Sequence, residues 1–199
     1  MHLTITPQNP LNATYLEASS GRALYRVHTE MKVHDTVTTV TRRLADDVPH
    51  RGVSPPSQSS SGQNLKDLER DADSASPQAR FGFLAQILWK VVGPTTIRIG
   101  DAEFSSEERF RSVGFGLFGL ELGYTSSTGH EFRCRYKPFG TTMELQNEPS
   151  TVVANFHAKS LGVVGEAKDA SLELSEEFGD ALVDELFVAF LYVQKRRKL

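Results

Sequence analysis

The sequence contains little that could cross-link it or carry it through a membrane. Its single cysteine, Cys134, excludes an internal disulfide framework and any zinc site built from paired cysteines. It has no run of about 18 uncharged apolar residues, so we expect no transmembrane span. Its N-terminus has neither the basic nor the apolar segment of a secretion signal, which predicts a cytoplasmic protein. A net charge of only −3 excludes a generally basic nucleic-acid binder.

The residue spacings that enzymes and metal sites require are missing as well. No paired carboxylates, nucleophile elbow or His-Glu-x-x-His motif is present, so we expect no catalytic activity and no cofactor. The histidines are scattered, and His28 and His34 flank a predicted turn, which argues against a metal site. Cys134 has no base near it in sequence, and we expect a buried, inert thiol.

Aromatic residues are absent from one long segment, residues 45–79. This segment holds four of the nine prolines and a serine-rich run. Such a stretch buries too little apolar area to offset the entropy of ordering it. We therefore predict one domain over 1–199 that carries a disordered Ser-, Pro- and Asp-rich insertion at 45–79. Ser54 and Ser76 each precede a proline there and are candidate phosphorylation sites, with ordinary loop composition as the alternative.

Outside the insertion, short segments alternate apolar and polar residues and are rich in β-branched and aromatic side chains. This pattern predicts strands, and Gly, Pro and Asp residues separate them. The predicted strands are 2–6, 23–29, 36–43, 83–92, 95–99, 131–137, 141–146, 151–157 and 170–174. Because no helices come between these strands, we expect an antiparallel sandwich or barrel.

The C-terminal segment differs from the rest. Residues 180–198 contain no Gly, Pro, Asn or Ser, and 186–193 are apolar at every position. This length favours a helix over a strand. A helix that is apolar on all sides must be enclosed by protein or by lipid. The apolar stretch is too short for a bilayer, and Asp184 and Glu185 interrupt the first turns of the helix. We therefore predict a mostly β protein, a closed antiparallel barrel wrapped around a central helix at 180–198.

Three glycines, Gly114, Gly116 and Gly119, have the spacing of the dinucleotide-binding fingerprint. That function requires a helix to begin at the last glycine, so that backbone N–H groups face the pyrophosphate. Residues 123–129 are too rich in Gly, Ser and Thr to continue such a helix. We therefore expect these glycines to lie at a bend or bulge of the barrel.

Basic residues line one face of the predicted strand 131–137. Arg133, Arg135 and Lys137 alternate with Phe132, Cys134 and Tyr136, so an inward aromatic face leaves the cations outside, with Arg109 and Arg111 nearby. One guanidinium group can bind two phosphate oxygens at once, which makes this face a candidate site for lipid phosphate. The alternative is a solvated face that acidic neighbours such as Glu144 neutralise across strands.

The chain ends in a second group of cations, Lys195, Arg196, Arg197 and Lys198. They are candidates for docking on an anionic membrane leaflet, at about 1 kcal/mol for each basic residue near the surface. A nuclear-import patch is a second interpretation. The third is a solvated helix end whose charge complements the helix dipole.

Several segments, in order along the chain, resemble the tubby-like superfamily. This group includes the tubby C-terminal domain, plant LURP-one-related proteins and phospholipid scramblases. The match is closer to small tubby-like proteins of unknown function that are common in mushroom-forming fungi. One departure is that Tyr136 stands alone where these proteins usually have a second aromatic residue. The segments that carry the resemblance are 2–10, 24–27, 87–89, 129–137, 183–188, 192–193 and 195–197.

The resemblance implies a barrel closed around one helix and, since tubby domains bind phosphoinositides, a role at membranes. We therefore expect a monomeric, non-enzymatic binding module that engages anionic membrane lipid or a protein partner. One alternative is scramblase-like lipid handling. Another is a structural or regulatory role exerted through the insertion at 45–79. A small-ligand carrier would require a cavity inside the barrel.

Overall fold

A computed structural model describes residues 1–32, 35–45, 79–117, 119–160 and 168–197. Within these residues the protein consists of one large antiparallel sheet, a short helix and a C-terminal helix. Most of the predicted insertion, including Ser54 and Ser76, lies outside the described residues, as does Lys198.

The predicted strands are all present, and four strands and a short helix were missed. The strands are β1 (His2–Thr6), β2 (Ala13–Glu17), β3 (Ala23–Met31), β4 (Asp35–Arg43), β5 (Phe81–Lys90), β6 (Thr96–Ile99), β7 (Ala102–Ser105), β8 (Phe110–Gly116), β9 (Gly119–Thr125), β10 (Glu131–Lys137), β11 (Gly140–Leu145), β12 (Glu148–His157) and β13 (Ser171–Leu174). The helices are α1 (Ser106–Arg109) and α2 (Asp180–Arg196). The missed strands are β2, β7, β8 and β9.

The described strands form one sheet in the order β7-β6-β5-β4-β3-β2-β1-β13-β12-β11-β10-β9-β8. Its two edge strands, β7 and β8, are consecutive in the chain and are joined by α1. No hydrogen-bonded ladder connects them in the described part of the chain, so the sheet is open and the predicted closed barrel is not confirmed. The physical reason lies in α1: Ser105 and Glu108 form a capping box that starts a helix where a hairpin would have to turn.

Helix α2 is enclosed by the sheet along almost its whole length. Every residue from Leu182 to Gln194 is buried. Its rings contact strands from both halves of the sheet, in the pairs Phe187–Tyr25 (4.1 Å between centroids), Phe190–Phe156 (5.2 Å), Tyr192–Trp89 (5.6 Å) and Tyr192–Phe110 (4.1 Å). The predicted C-terminal helix is therefore confirmed, with the bounds Asp180–Arg196.

The glycine-rich segment forms the β8–β9 hairpin, a conformation that its composition allows. A nucleotide site would require a helix there instead. The β8–β9 register shifts between Ser112 and Gly114, which confirms the predicted bulge. Gly116 pairs with Gly119 at the turn, and a φ of +121° at Gly119 favours glycine there. The residues that follow are strand β9, so the N-terminal helix turn that would bind a pyrophosphate does not form here.

We expect Phe187→Ala to lower the free energy of unfolding by about 3–5 kcal/mol, because its ring is fully buried between strands. The matched control is Phe139→Ala, since Phe139 is 79% exposed; its effect should stay within about 0.5 kcal/mol. Urea titration followed by circular dichroism measures both. Equal, small effects would contradict the enclosure of α2.

Candidate functional site

The first turns of α2 carry two buried carboxylates, and both have donors from the surrounding strands. Asp184 accepts hydrogen bonds from the Tyr25 hydroxyl (2.7 Å) and from Arg42 (2.5 Å). Burial raises the pKa of Asp184, and these two donors oppose that rise. Glu185 accepts from the Tyr124 hydroxyl at 2.5 Å. These contacts hold strands β3, β4 and β9 against the helix.

Arg109 belongs to this structural network. Its guanidinium reaches from α1 to a Glu185 carboxylate oxygen and to the Thr125 carbonyl oxygen, both at 3.4 Å. It also lies 4.7 Å from the centroid of the Phe104 ring. These contacts join β7, β9 and α2 across the gap between the two edge strands. That Arg109 binds lipid phosphate together with the basic strand face stays a prediction.

The basic face of β10 is present, but acidic side chains neutralise its arginines. Phe132 and Cys134 are buried, as the alternation predicts. Arg133 forms an ion pair with Glu121 at 2.6 Å. Arg135 pairs with Glu144 at 2.7 Å, the cross-strand contact expected as the alternative, and approaches Glu121 at 3.6 Å.

Arg111 is in the same situation on β8. It donates to a carboxylate oxygen of Glu131 at 2.9 Å and to the Gln146 side chain at 3.3 Å. Charges of both signs therefore alternate across the face of the sheet that points away from α2, which we call the outer wall. A phosphate that bound these arginines would have to compete with carboxylates already in place. Binding of lipid phosphate by Arg111, Arg133 and Arg135 stays a prediction.

The cations at the end of α2 have different surroundings. Lys195 lies over the Trp89 ring, 4.3 Å from its centroid, and its partial burial lowers its pKa. Arg197 donates to the carbonyl oxygens of Lys137 (2.9 Å) and Gly140 (3.0 Å) and so closes the β10–β11 turn. Arg196 is exposed, and no acidic side chain of the described residues pairs with it.

Lys137 is also exposed and without an acidic partner within the described ranges. It ends β10, where the Arg197 guanidinium binds its carbonyl oxygen. Lys137, Lys195, Arg196 and Arg197 therefore gather at the end of the fold where α2 stops. We call these four residues the basic rim. They combine one member of the predicted strand face with three of the predicted tail.

Turns and strand ends surround the basic rim. The β5–β6 turn follows Trp89, which stacks on Tyr192, and the end of β3 and start of β4 lie beside it because Asp35 pairs with Lys90 and Met31 with Thr36. The β10–β11 turn contacts Arg197. The β8–β9 turn reaches the same end, since Gly119, Tyr136, Arg196 and Arg197 line one small cleft.

These turns expose large apolar side chains. Leu117 is 96% exposed and Met31 90% exposed, and Val91, Val92 and Phe139 are each about four-fifths exposed or more. We call these five residues the apolar tips. Sequence reasoning missed them. The available signal was that Val91 and Val92 directly precede Gly93-Pro94, and that Phe139 lies between Pro138 and Gly140.

A further cleft of about 470 Å³ lies on the outer wall of the sheet, lined in part by Lys137, Thr142, Asn155 and Glu173. It is wide open to solvent, whereas the interior of the sheet is filled by α2. The described residues contain no group of three or more His, Cys, Asp or Glu side chains that could hold a metal ion. None of the helices described is long and apolar enough to cross a membrane.

The chain belongs to the family described as "Family of unknown function (DUF6593)", whose model matches residues 8–199. No curated protein matches the chain. No solved structure matches it either. Family membership therefore supplies no activity, and a function has to be argued from the geometry of the site.

We expect Glu121→Gln to strengthen retention on a heparin column, because it removes the carboxylate that neutralises Arg133 and Arg135. Glu103→Gln is the control, since Glu103 is exposed and the change in net charge is the same. The measurement is the salt concentration at elution. If both variants elute at the same salt, the idea that Glu121 holds this face neutral is wrong.

Cys134 should be unreactive in the folded protein. Burial raises the pKa of its thiol to about 12, so almost no thiolate forms at neutral pH. We expect negligible reaction with a thiol-specific disulfide reagent at pH 8, and one equivalent after unfolding in urea. Fast reaction of the native protein would contradict the burial of this strand face.

Proposed function

For this member of the family, we propose a non-enzymatic module that binds anionic membrane lipid, with phosphoinositides among its ligands. The proposed contact surface is the basic rim. One observation carries the proposal: Lys137 and Arg196 are exposed without acidic partners in the described part, while Arg111, Arg133 and Arg135 on the neighbouring wall are paired.

The charge distribution supports an orientation as well as an affinity. The chain as a whole is acidic, with a net charge of −3. Helix α2 begins with Asp180 and ends with Lys195 and Arg196, so its two ends present opposite charges. Each basic residue near an anionic leaflet contributes about 1 kcal/mol. A few such residues give a weak, salt-sensitive attachment with the basic rim toward the lipid.

The kinship with the tubby-like superfamily is part of this proposal. Its support is the buried C-terminal helix, surrounded by antiparallel strands, with α1 spanning the gap where closure would occur. A barrel that closes between β7 and β8 is kept as part of this proposal. Scramblase-like lipid handling receives less support, because entry of α2 into a bilayer would require it to leave the sheet that surrounds it.

A protein partner is the competing outcome, and lipid vesicles distinguish the two. Lys137→Gln together with Arg196→Gln should weaken binding to vesicles containing 30% phosphatidylserine by about ten- to thirtyfold, from the loss of about 1 kcal/mol per residue. Co-sedimentation at several salt concentrations is the measurement.

The matched control is Arg22→Gln with Arg80→Gln. Both residues are exposed, lie at the opposite end of the fold and change the net charge equally. This control should bind within about twofold of the natural protein. Binding that ignores salt and anionic lipid content, or an equal loss in the control, would reject the proposal. Phosphoinositide-containing vesicles of equal charge then test headgroup preference.

A further inference from the structure

We infer that the apolar tips insert into the surface layer of an anionic bilayer while the basic rim contacts the lipid phosphates. This inference rests on the proposed function and deepens it. It identifies the partner as a membrane surface, as opposed to a soluble anion or an acidic protein. It also assigns a role to side chains that the charge argument does not use.

The first support is where these side chains lie. Turns normally carry Gly, Asn, Asp, Ser or Pro, because these residues suit the backbone and water. Here Leu117 is 96% exposed between the paired glycines Gly116 and Gly119, and Phe139 is 79% exposed in the next turn. Large apolar side chains that gather on one surface mark an interaction site.

The second support is that three similar side chains lie on the other side of α2. Val91 and Val92 are 82% and 86% exposed at the end of β5, and Met31 is 90% exposed at the end of β3. Lys195 is connected to this side through the Trp89 ring. The basic rim therefore lies between two groups of apolar tips.

The placement of basic side chains between apolar ones favours a bilayer over the other candidate partners. Lysine and arginine side chains place their charge at the headgroup level while their stems cover apolar surface. Apolar side chains beside them reach the acyl boundary, a combination that binds anionic interfaces by burial and charge together. A second copy of this chain would bring two basic rims together, and their like charges would repel. A soluble anion would leave the apolar tips exposed to water.

The test places a reporter at one tip. Trp89 is the only natural tryptophan and contacts Lys195 of the basic rim, so the natural protein is measured in parallel and its emission change is subtracted. We use Phe139→Trp, with Leu117→Trp as a second reporter should the first not fold. The control is Val152→Trp, at a residue 46% exposed on the outer wall. The probe is a vesicle with 30% phosphatidylserine and bromine-labelled acyl chains.

We expect the tip reporters to shift to shorter wavelength and to be quenched by bromine, while the control does neither. Leu117→Ser with Phe139→Ser should weaken vesicle binding about tenfold or more and leave its salt dependence unchanged. Val152→Ser should bind normally.

The outcomes separate the two claims. Salt-dependent vesicle binding without quenching at either tip would overturn insertion and leave the proposed function intact. No binding to anionic vesicles at all would overturn both. Equal quenching with neutral phosphatidylcholine vesicles would support insertion and count against the basic rim as the source of lipid preference.

Discussion

Because α2 is buried on every side, the surrounding strands must supply hydrogen-bond partners for its polar side chains. The enclosed run from Leu182 to Gln194 includes two carboxylates. A buried carboxylate without donors costs several kcal/mol, so the hydroxyls of Tyr25 and Tyr124 bind Asp184 and Glu185. Because these tyrosines come from β3 and β9, the polar contacts of α2 fix the positions of strands that are distant in the sheet.

The same enclosure makes the two ends of the fold unlike. At the end where α2 begins, Arg42 binds Asp180 and Asp184, and just beyond β4 the Leu44 backbone N–H donates to the Arg80 carbonyl oxygen. At the end where α2 stops, the helix presents basic residues and the strand turns carry apolar side chains. The inner face of the sheet is filled by the core, and the proposed contact with lipid lies at the end where α2 stops.

The sequence predicted what depends on local pattern and missed what depends on neighbours. Alternation placed Arg133 and Arg135 outside correctly. Glu144 lies on a predicted strand, so its pairing was foreseeable. Glu121 lies on β9, whose glycines suppress the strand signal, so the second neutralising carboxylate was invisible. Val91 and Val92 were predicted as the end of a strand, but β5 ends at Lys90, and both side chains are exposed.

The central claim is that α2 stays inside the sheet while the end of the fold where α2 stops contacts lipid. Hydrogen–deuterium exchange with and without anionic vesicles tests this most directly. The account predicts slow exchange over 182–194 in both conditions, with added protection confined to peptides around Met31, Val91, Leu117 and Phe139. Faster exchange of α2 on lipid addition, or protection around Arg22 and Arg80 instead, would contradict it.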